Sequence, residues 1–157
     1  MDTIGKLIGG VALSLAVVSV ASGQTIDKKV LSLQAAETIA AAAEAAAREK
    51  GVGVVIAVVD DAGHLILLHR QDDAQVASVN VGIGKARTAA IYRRPSKDFE
   101  DQIRAGRVAA LALADSTPLQ GGVPIRVDGK VVGAVGVSGD TPQVDEAIAI
   151  AGASALK

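Results

Sequence analysis

The chain has 157 residues, half of them apolar, with 16 basic and 17 acidic side chains and a formal net charge of -1. This length suits one domain with a hydrophobic core of useful size rather than two domains. Because the sequence has no basic patch and almost no aromatic side chain, we do not expect it to bind nucleic acid. The absence of cysteine excludes disulfides, thiolate metal sites and a cysteine nucleophile.

The first 23 residues have the order of a secretory signal peptide. Lys6 precedes an apolar stretch, residues 7–21, and small residues follow as far as Gly23. This stretch is short and rich in glycine and serine, which does not favour a membrane span. We predict a signal peptide over residues 1–23, a single mature domain over residues 24–157 without a stable membrane anchor, and a periplasmic or secreted protein. The alternative is a frayed or membrane-associated N-terminal helix.

The first third of the mature chain predicts a helix and then a hairpin. Ser32 is a suitable N-cap for a helix that ends near Lys50, where Gly51 can end it. A continuous β-branched run at residues 54–59 predicts a buried strand. A turn ending at a glycine then leads into a second strand, residues 64–69, so that the two strands form a hairpin.

The middle of the chain predicts helices. Residues 77–91 form a helix despite Gly82 and Gly84, and these glycines suggest a close approach by backbone, by another subunit or by a ligand. Ser96 is expected to cap a short helix that ends at Arg104.

The last third predicts a second hairpin and a final helix. Two β-branched runs, residues 123–127 and 130–137, flank an Asp-Gly pair, which is a strong hairpin signal. Thr141 and Pro142 are then suited to the N-cap and first position of a helix that ends near Leu156.

The predicted order is therefore helix, hairpin, helices, hairpin, helix. Because strands and helices do not alternate regularly, a parallel Rossmann-type sheet is not expected. We predict an α/β (α+β) fold in which one antiparallel sheet of about five strands packs with helices.

Six short motifs occur in order along the chain. They are VVDDAGH at residues 58–64, KARTA at 85–89, PS at 95–96, GGVPI at 121–125, GAVGVSG at 133–139 and DEAIA at 145–149. In this order and spacing they resemble the GlcG/HbpS-like family, which also includes the C-terminal domain of some cobalamin adenosyltransferases. The resemblance covers residues 30–156 and implies a profilin-like or PAS-like sandwich, homo-oligomers from dimers to octamers, and haem binding in several members.

Candidate haem ligands are few in this sequence. Haem iron is usually held by His, Met, Cys or Tyr, which leaves His64, His69 and Tyr92 once Met1 is removed with the signal peptide. The alternative for His64 is an exposed turn residue, and for His69 a hydrogen-bonded side chain at a strand end. The two histidines lack the spacing of a metal-binding pair, so we predict no separate metal site.

The loop that leads into the second hairpin is the preferred ligand site. Gly121 and Gly122 let a ligand approach the backbone closely, and Ser116 and Thr117 place hydroxyls just upstream. The resemblance implies that a hydroxyl near this point contacts haem iron in some members, and Ser116 is the better match. The alternative is that both hydroxyls stabilise a turn around Pro118.

The predicted helix at residues 77–91 carries basic side chains that suit a carboxylate. Lys85 and Arg87, with Arg93 and Arg94 just after this helix, could neutralise haem propionates or another carboxylate ligand. Lys85 and Thr88 belong to a matching motif and therefore rank above Arg93 and Arg94. The alternative is a solvated helix face. Some exported family members carry a Glu-x-x-Glu pair associated with iron, but residues 80–83 contain no carboxylate, so that role is not carried over.

These observations predict first an exported, oligomeric haem-binding protein that senses haem or redox state or sequesters haem. An enzyme of the lyase or isomerase class that acts on a small organic acid is the alternative, and it predicts a closed pocket containing Lys85 or a histidine. A corrinoid-related accessory module is the third. Because no nucleophile–base pair is visible in the sequence, no catalytic residue is predicted.

Overall fold

The computed structural model describes residues 23–156. In chain order the elements are α1 (Leu33–Lys50), β1 (Val55–Asp60), β2 (Leu65–Arg70), α2 (Ser78–Ile91), α3 (Lys97–Arg104), a 3₁₀ helix (Val108–Ala112), β3 (Gly122–Val127), β4 (Lys130–Ser138) and α4 (Pro142–Ala153). No helix within residues 23–156 is long and apolar enough to cross a membrane. Residues 1–22 of the predicted signal peptide lie outside the described residues.

The four described strands form one antiparallel sheet in the order β2-β1-β4-β3. The α/β fold with a single antiparallel sheet is therefore confirmed, but the strand number of about five was wrong. The sequence predicted only four individual strand segments, and each of them became a strand. The described residues before α1 are irregular and supply no fifth strand.

Strand β1 is the centre of the core, because helices cover the sheet on both sides. Ile56 and Val58 pack with α1 and α4 on one face, whereas Ala57 and Val59 pack with α2 on the other. The alternation of a pleated strand thus divides one continuous apolar run between two layers of core.

Helix α2 lies very close to the sheet because glycine stands on both sides of the contact. A Cβ on Gly136 of β4 would overlap with the carbonyl oxygen of Gly82 in α2. A Cβ on Gly84 would overlap with the hydroxyl of Thr117 in the loop before β3. The sequence predicted that backbone, another subunit or a ligand would approach these helix glycines closely. In the structure, backbone and a side chain of the same chain approach them.

The predicted helix caps are confirmed at α1 and α4 but not at α3. Ser32 accepts from the backbone N–H of Ala35 at 3.1 Å, and Gly51 ends α1 with φ 67°. The hydroxyl of Ser96 does not cap α3. It donates instead to the carbonyl of Leu119 at 2.5 Å and accepts from the N–H of Gly122 at 2.8 Å, so it fixes the Gly121-Gly122 loop.

Candidate functional site

Two cavities within the described residues contain predicted ligand side chains. The histidine cavity, of about 300 Å³, is lined by Ala62, His64, Arg87, Ile91 and Asp115. The lysine cavity, of about 210 Å³, has Lys85, Gln120, Ser138 and Asp145 among its lining residues. The two cavities share no lining residue. A more open groove of about 540 Å³ contains none of the predicted site residues.

His64 stands at the mouth of the histidine cavity on the turn that joins β1 and β2. The carboxylate of Asp60 accepts from the backbone N–H groups of Ala62 at 2.9 Å and His64 at 2.8 Å, which fixes this turn. The Nδ1 atom of His64 lies 3.4 Å from Oδ2 of Asp60, and the side chain of His64 is 78% exposed. One nitrogen of the imidazole thus lies near a carboxylate, while the side chain is largely open to solvent.

The charge of Asp60 is maintained by the turn that it supports. Burial acts to raise the pKa of Asp60, but hydrogen bonds from the N–H groups of His64 and Ala62 and the nearby imidazole hold this pKa below its ordinary value. Asp60 therefore stays a carboxylate beside the imidazole, which favours the tautomer with its proton on Nδ1.

Arg87 and Ile91 form the α2 wall of the histidine cavity. The Nε of Arg87 donates to the carbonyl of Gly63 at 3.2 Å. Gly63 has φ 84°, and a Cβ there would lie 2.8 Å from Cγ of Arg87, so both the turn and the close contact require glycine. Asp115, whose own φ is 53°, closes the cavity from the loop before β3.

An apolar strip extends along the sheet edge next to the histidine cavity. Leu65, which pairs with Val59 of β1, follows His64 directly and is 48% exposed. Leu68 of β2 and Ile83 of α2 are only partly buried where they pack against the core. We call Leu65, Leu68 and Ile83 the edge strip. It is uncovered because α2 packs mainly on β1, β4 and β3 and leaves β2 at the edge.

A buried ion pair forms the floor of the lysine cavity. Lys85 and Asp145 are only 3% and 2% exposed, and Nζ lies 2.8 Å from Oδ2. Nζ also donates to the carbonyl of Val137 at 3.0 Å, while the other carboxylate oxygen accepts from the N–H of Asp140 at 3.0 Å. Burial raises the pKa of Asp145, and the hydrogen bonds from Lys85 and Asp140 offset only part of that effect.

The two predicted loop glycines lie against this ion pair. A Cβ on Gly121, which has φ 124°, would lie 2.9 Å from Nζ of Lys85 and 3.1 Å from Cβ of Asp145. A Cβ on Gly122 would overlap with the backbone oxygen of Lys85. The close approach that the glycines permit is therefore made by Lys85 and Asp145 of the same chain.

The predicted hydroxyl residues hold the loop before β3 onto α2. Thr88 is fully buried; its hydroxyl donates to the carbonyl of Gly84 at 2.8 Å and accepts from the N–H of Thr117 at 2.7 Å. The hydroxyl of Ser116 donates to the carbonyl of Leu113 at 3.0 Å. The Ser116 hydroxyl is thus engaged by a nearby backbone carbonyl, and Ser116 directly follows a residue of the histidine cavity.

Neither His69 nor Tyr92 lines either of the two cavities. His69 pairs with Ile56 across the sheet, and its Nδ1 donates to Glu44 of α1 at 2.7 Å, on the face opposite α2. The hydroxyl of Tyr92 donates to the carbonyl of Ala114 at 2.7 Å. The structure therefore does not bring the two histidines together.

Sequence reasoning missed two carboxylates that lie against predicted site residues. Asp145 lies in a recognised motif, but nothing local indicates that it meets Lys85, which is 60 positions away. Asp60 was not predicted as a site residue, although its spacing of four residues from His64 places the two side chains together.

Comparison with known proteins identifies the fold and its relatives. The family model described as haem degrading protein HbpS-like matches residues 31–154. Protein GlcG of Escherichia coli (strain K12) is 45% identical over 111 residues, which cover 71% of this chain and 83% of that protein.

Two solved structures show the same architecture. A double mutant of HbpS from Streptomyces reticuli matches with a TM-score of 0.80 and 30% identity, over 92% of this chain and 99% of that chain. The crystal structure of a PduOC–haem complex matches with a TM-score of 0.75 and 25% identity, over 82% of this chain and 96% of that chain. All described helices and strands lie within the family match.

Proposed function

This chain belongs to the HbpS-like family, and we propose that it binds haem with His64 as the axial ligand. A haem-related function is supported by the family description and by the haem complex among the structural relatives. The observation that carries the finer assignment is the imidazole of His64 at the mouth of a cavity that also contains a guanidinium and an apolar wall.

His64 has the chemistry that an axial ligand needs. Histidines that bind metals usually use one ring nitrogen while the other contacts a carboxylate or carbonyl, which fixes the ring and its tautomer. Asp60 supplies this carboxylate at Nδ1, so Nε2 is the nitrogen available to iron. When bound, haem would supply an iron centre that can take a further ligand or change redox state.

The surroundings of His64 suit the rest of a haem molecule. Arg87 offers a guanidinium for a propionate, because its hydrogen bond to the Gly63 carbonyl uses Nε rather than the two terminal nitrogens. The cavity of about 300 Å³ is at the lower end of the range for sites of drug-sized ligands, about 300–1,000 Å³. Part of the macrocycle would therefore lie outside it, against Ile91 and the edge strip.

The openness of this site supports the proposal that the protein forms an oligomer. His64 is 78% exposed and Leu65 is 48% exposed, so a haem bound by one chain would keep much of its surface in water. A second copy placed on the edge strip would cover that surface. We therefore propose a homo-oligomer with haem near a subunit contact, and Leu65→Glu should shift the mass measured by light scattering toward the monomer.

Export is proposed on the signal-like order of residues 1–23. N-terminal sequencing of protein recovered from the periplasm or medium tests it. A mature N-terminus near Gln24 supports export, whereas recovery of the chain only from the cytoplasm, beginning at Met1, contradicts it.

A hemin titration followed by Soret absorbance tests the haem proposal. We expect a saturable Soret shift that His64→Ala weakens strongly and that Arg87→Met weakens less, because a propionate contact is secondary to axial ligation. His69→Ala is the matched control, since His69 also contacts a carboxylate but faces α1. If Ser116→Ala lost the Soret shift while His64→Ala kept it, the axial ligand would be the hydroxyl of Ser116 rather than His64. The absence of a saturable shift in the unmodified protein would contradict haem binding.

A second candidate, an enzyme that acts on a small organic acid, is favoured by one observation. Lys85 lines a cavity, which is one part of what that hypothesis predicted. However, Asp145 already balances the charge of Lys85, and Asp140 adds a carboxylate to the lining, so the cavity is poorly suited to an anion. Haem binding remains the proposal that the site supports best.

A further inference from the structure

The lysine cavity contains polar groups that the haem proposal does not use. Ser138 of β4 donates to Ser78 of α2 at 3.2 Å, and both side chains are buried. Gln120 is also buried, and its amide nitrogen donates to Glu146 at 2.6 Å. Buried hydroxyls and amides are tolerated when they are hydrogen-bonded, as these are, and hydroxyls and amides grouped around one cavity can also pair with a polar ligand.

Lys85 has one more hydrogen to offer than its described partners accept. An ammonium group carries three N–H donors, and the carbonyl of Val137 and the carboxylate of Asp145 account for two of them. Because Lys85 lines the cavity, a ligand oxygen there can accept the third. The hydroxyls of Ser78 and Ser138 can each donate or accept, so they can pair with a ligand hydroxyl in either sense.

The size and charge of the cavity restrict the ligand. A volume of about 210 Å³ corresponds to about seven water molecules, at roughly 30 Å³ each. The charged side chains that line it are Lys85, Asp140 and Asp145, which sum to one negative charge when all are ionised. An anion would therefore be repelled, while Val81 and Pro142 offer apolar surface for a short carbon chain.

We propose that the lysine cavity binds a small neutral molecule with several hydroxyl groups, a diol or triol of about six heavy atoms. One ligand oxygen accepts from Lys85, and the others pair with the Ser78–Ser138 hydroxyls and the carboxylate of Asp140. This site is independent of haem, because no residue is shared between the two cavities.

Amide chemical shifts of the haem-free, ¹⁵N-labelled protein test this site with glycerol as the probe and sodium glycolate as its anionic counterpart. We expect saturable shifts centred on the amides of Gly121, Gly139 and Asp140. Glycolate should bind roughly fivefold more weakly, the factor for one pair of like charges about 4 Å apart in water.

Two variants locate the binding without touching the ion pair. Gln75 is exposed at the rim, so Gln75→Trp should block the cavity without disturbing the core and should abolish the saturable shifts. Ser138→Ala should weaken glycerol binding severalfold while the amide spectrum stays that of a folded protein. Unchanged binding in Gln75→Trp, tighter binding of glycolate than of glycerol, or no saturable shift with either probe would each overturn the proposal.

Discussion

The histidine cavity and the lysine cavity lie on the same α2 layer but are stabilised in opposite ways. His64 is 78% exposed on a turn, and its contact with Asp60 comes from four positions away in the chain. Lys85 and Asp145 are almost fully buried and join α2 to α4 across 60 positions. The first site can therefore change with little effect on the fold, whereas the second is part of what holds the helices to the sheet.

Removing one member of the buried ion pair should have the largest effect on stability. Asp145→Ala leaves the Lys85 ammonium buried without its counter-ion, which typically costs about 3–5 kcal/mol of unfolding free energy. Urea denaturation followed by circular dichroism measures it. The double variant Lys85→Met with Asp145→Leu should recover much of the loss, because no charge then remains in the site. A double variant as unstable as Asp145→Ala would show that the pair contributes through packing rather than charge.

A substitution in the Gly121-Gly122 loop should have the next largest effect. In Gly122→Ala the new methyl group would overlap with the backbone oxygen of Lys85, and overpacking of this kind costs about 1–3 kcal/mol. Gly129→Ala is the control, since a Cβ there meets no atom within 4 Å and only its φ of 73° opposes the change. Denaturation midpoints compare the two variants. An equal loss of stability in the two variants would mean that the Gly121-Gly122 loop can move away from α2 at no cost in free energy.

These two predictions also mark what the sequence could and could not reveal. The caps at Ser32 and Thr141 and the two hairpins depend on neighbouring residues, so local rules found them. The Gly121-Gly122 pair was recognised as a place of close approach, but its partner comes from α2, which only the tertiary fold brings near. The same holds for Asp145, because no spacing rule connects it with Lys85.

The strand count and the histidine site show the other limits of sequence reasoning. A sheet of about five strands was expected on general grounds, although only four segments had strand character. Asp60 and His64 could have been paired from their spacing alone, since a turn brings residues four apart together. The cavity that also contains Arg87 and Asp115 could not have been predicted from the sequence, because its walls come from three separate parts of the chain.

The two carboxylates should give stability opposite dependences on pH. The pKa of Asp145 is raised above 3.8 in the folded protein, so its contribution to stability falls as pH rises from 3.8 through the folded pKa. The pKa of Asp60 is lowered, so its contribution is present above 3.8 and is lost as pH falls through the folded pKa. Urea midpoints of Asp145→Asn, Asp60→Asn and the unmodified protein should therefore be measured across the acid range. The difference between each variant and the unmodified protein should change with pH, and the two differences should change in opposite directions. Slopes of the same sign would contradict the difference in environment between the two cavities.

The smallest stability effect should come from the residue with the largest proposed role in binding. His64→Ala removes a side chain that is 78% exposed and pairs with Asp60 of its own turn, and surface changes of this kind usually alter the unfolding free energy by less than about 0.5 kcal/mol. His69→Ala should cost more, because it removes a hydrogen bond at 2.7 Å between β2 and α1. Yet His64→Ala is the variant expected to lose hemin affinity. Thermal unfolding and hemin titration on the same two proteins therefore give opposite rankings if the histidine cavity is a ligand site. If His64→Ala lost both stability and hemin affinity, the binding loss would follow from damage to the turn, and the axial role of His64 would have no support.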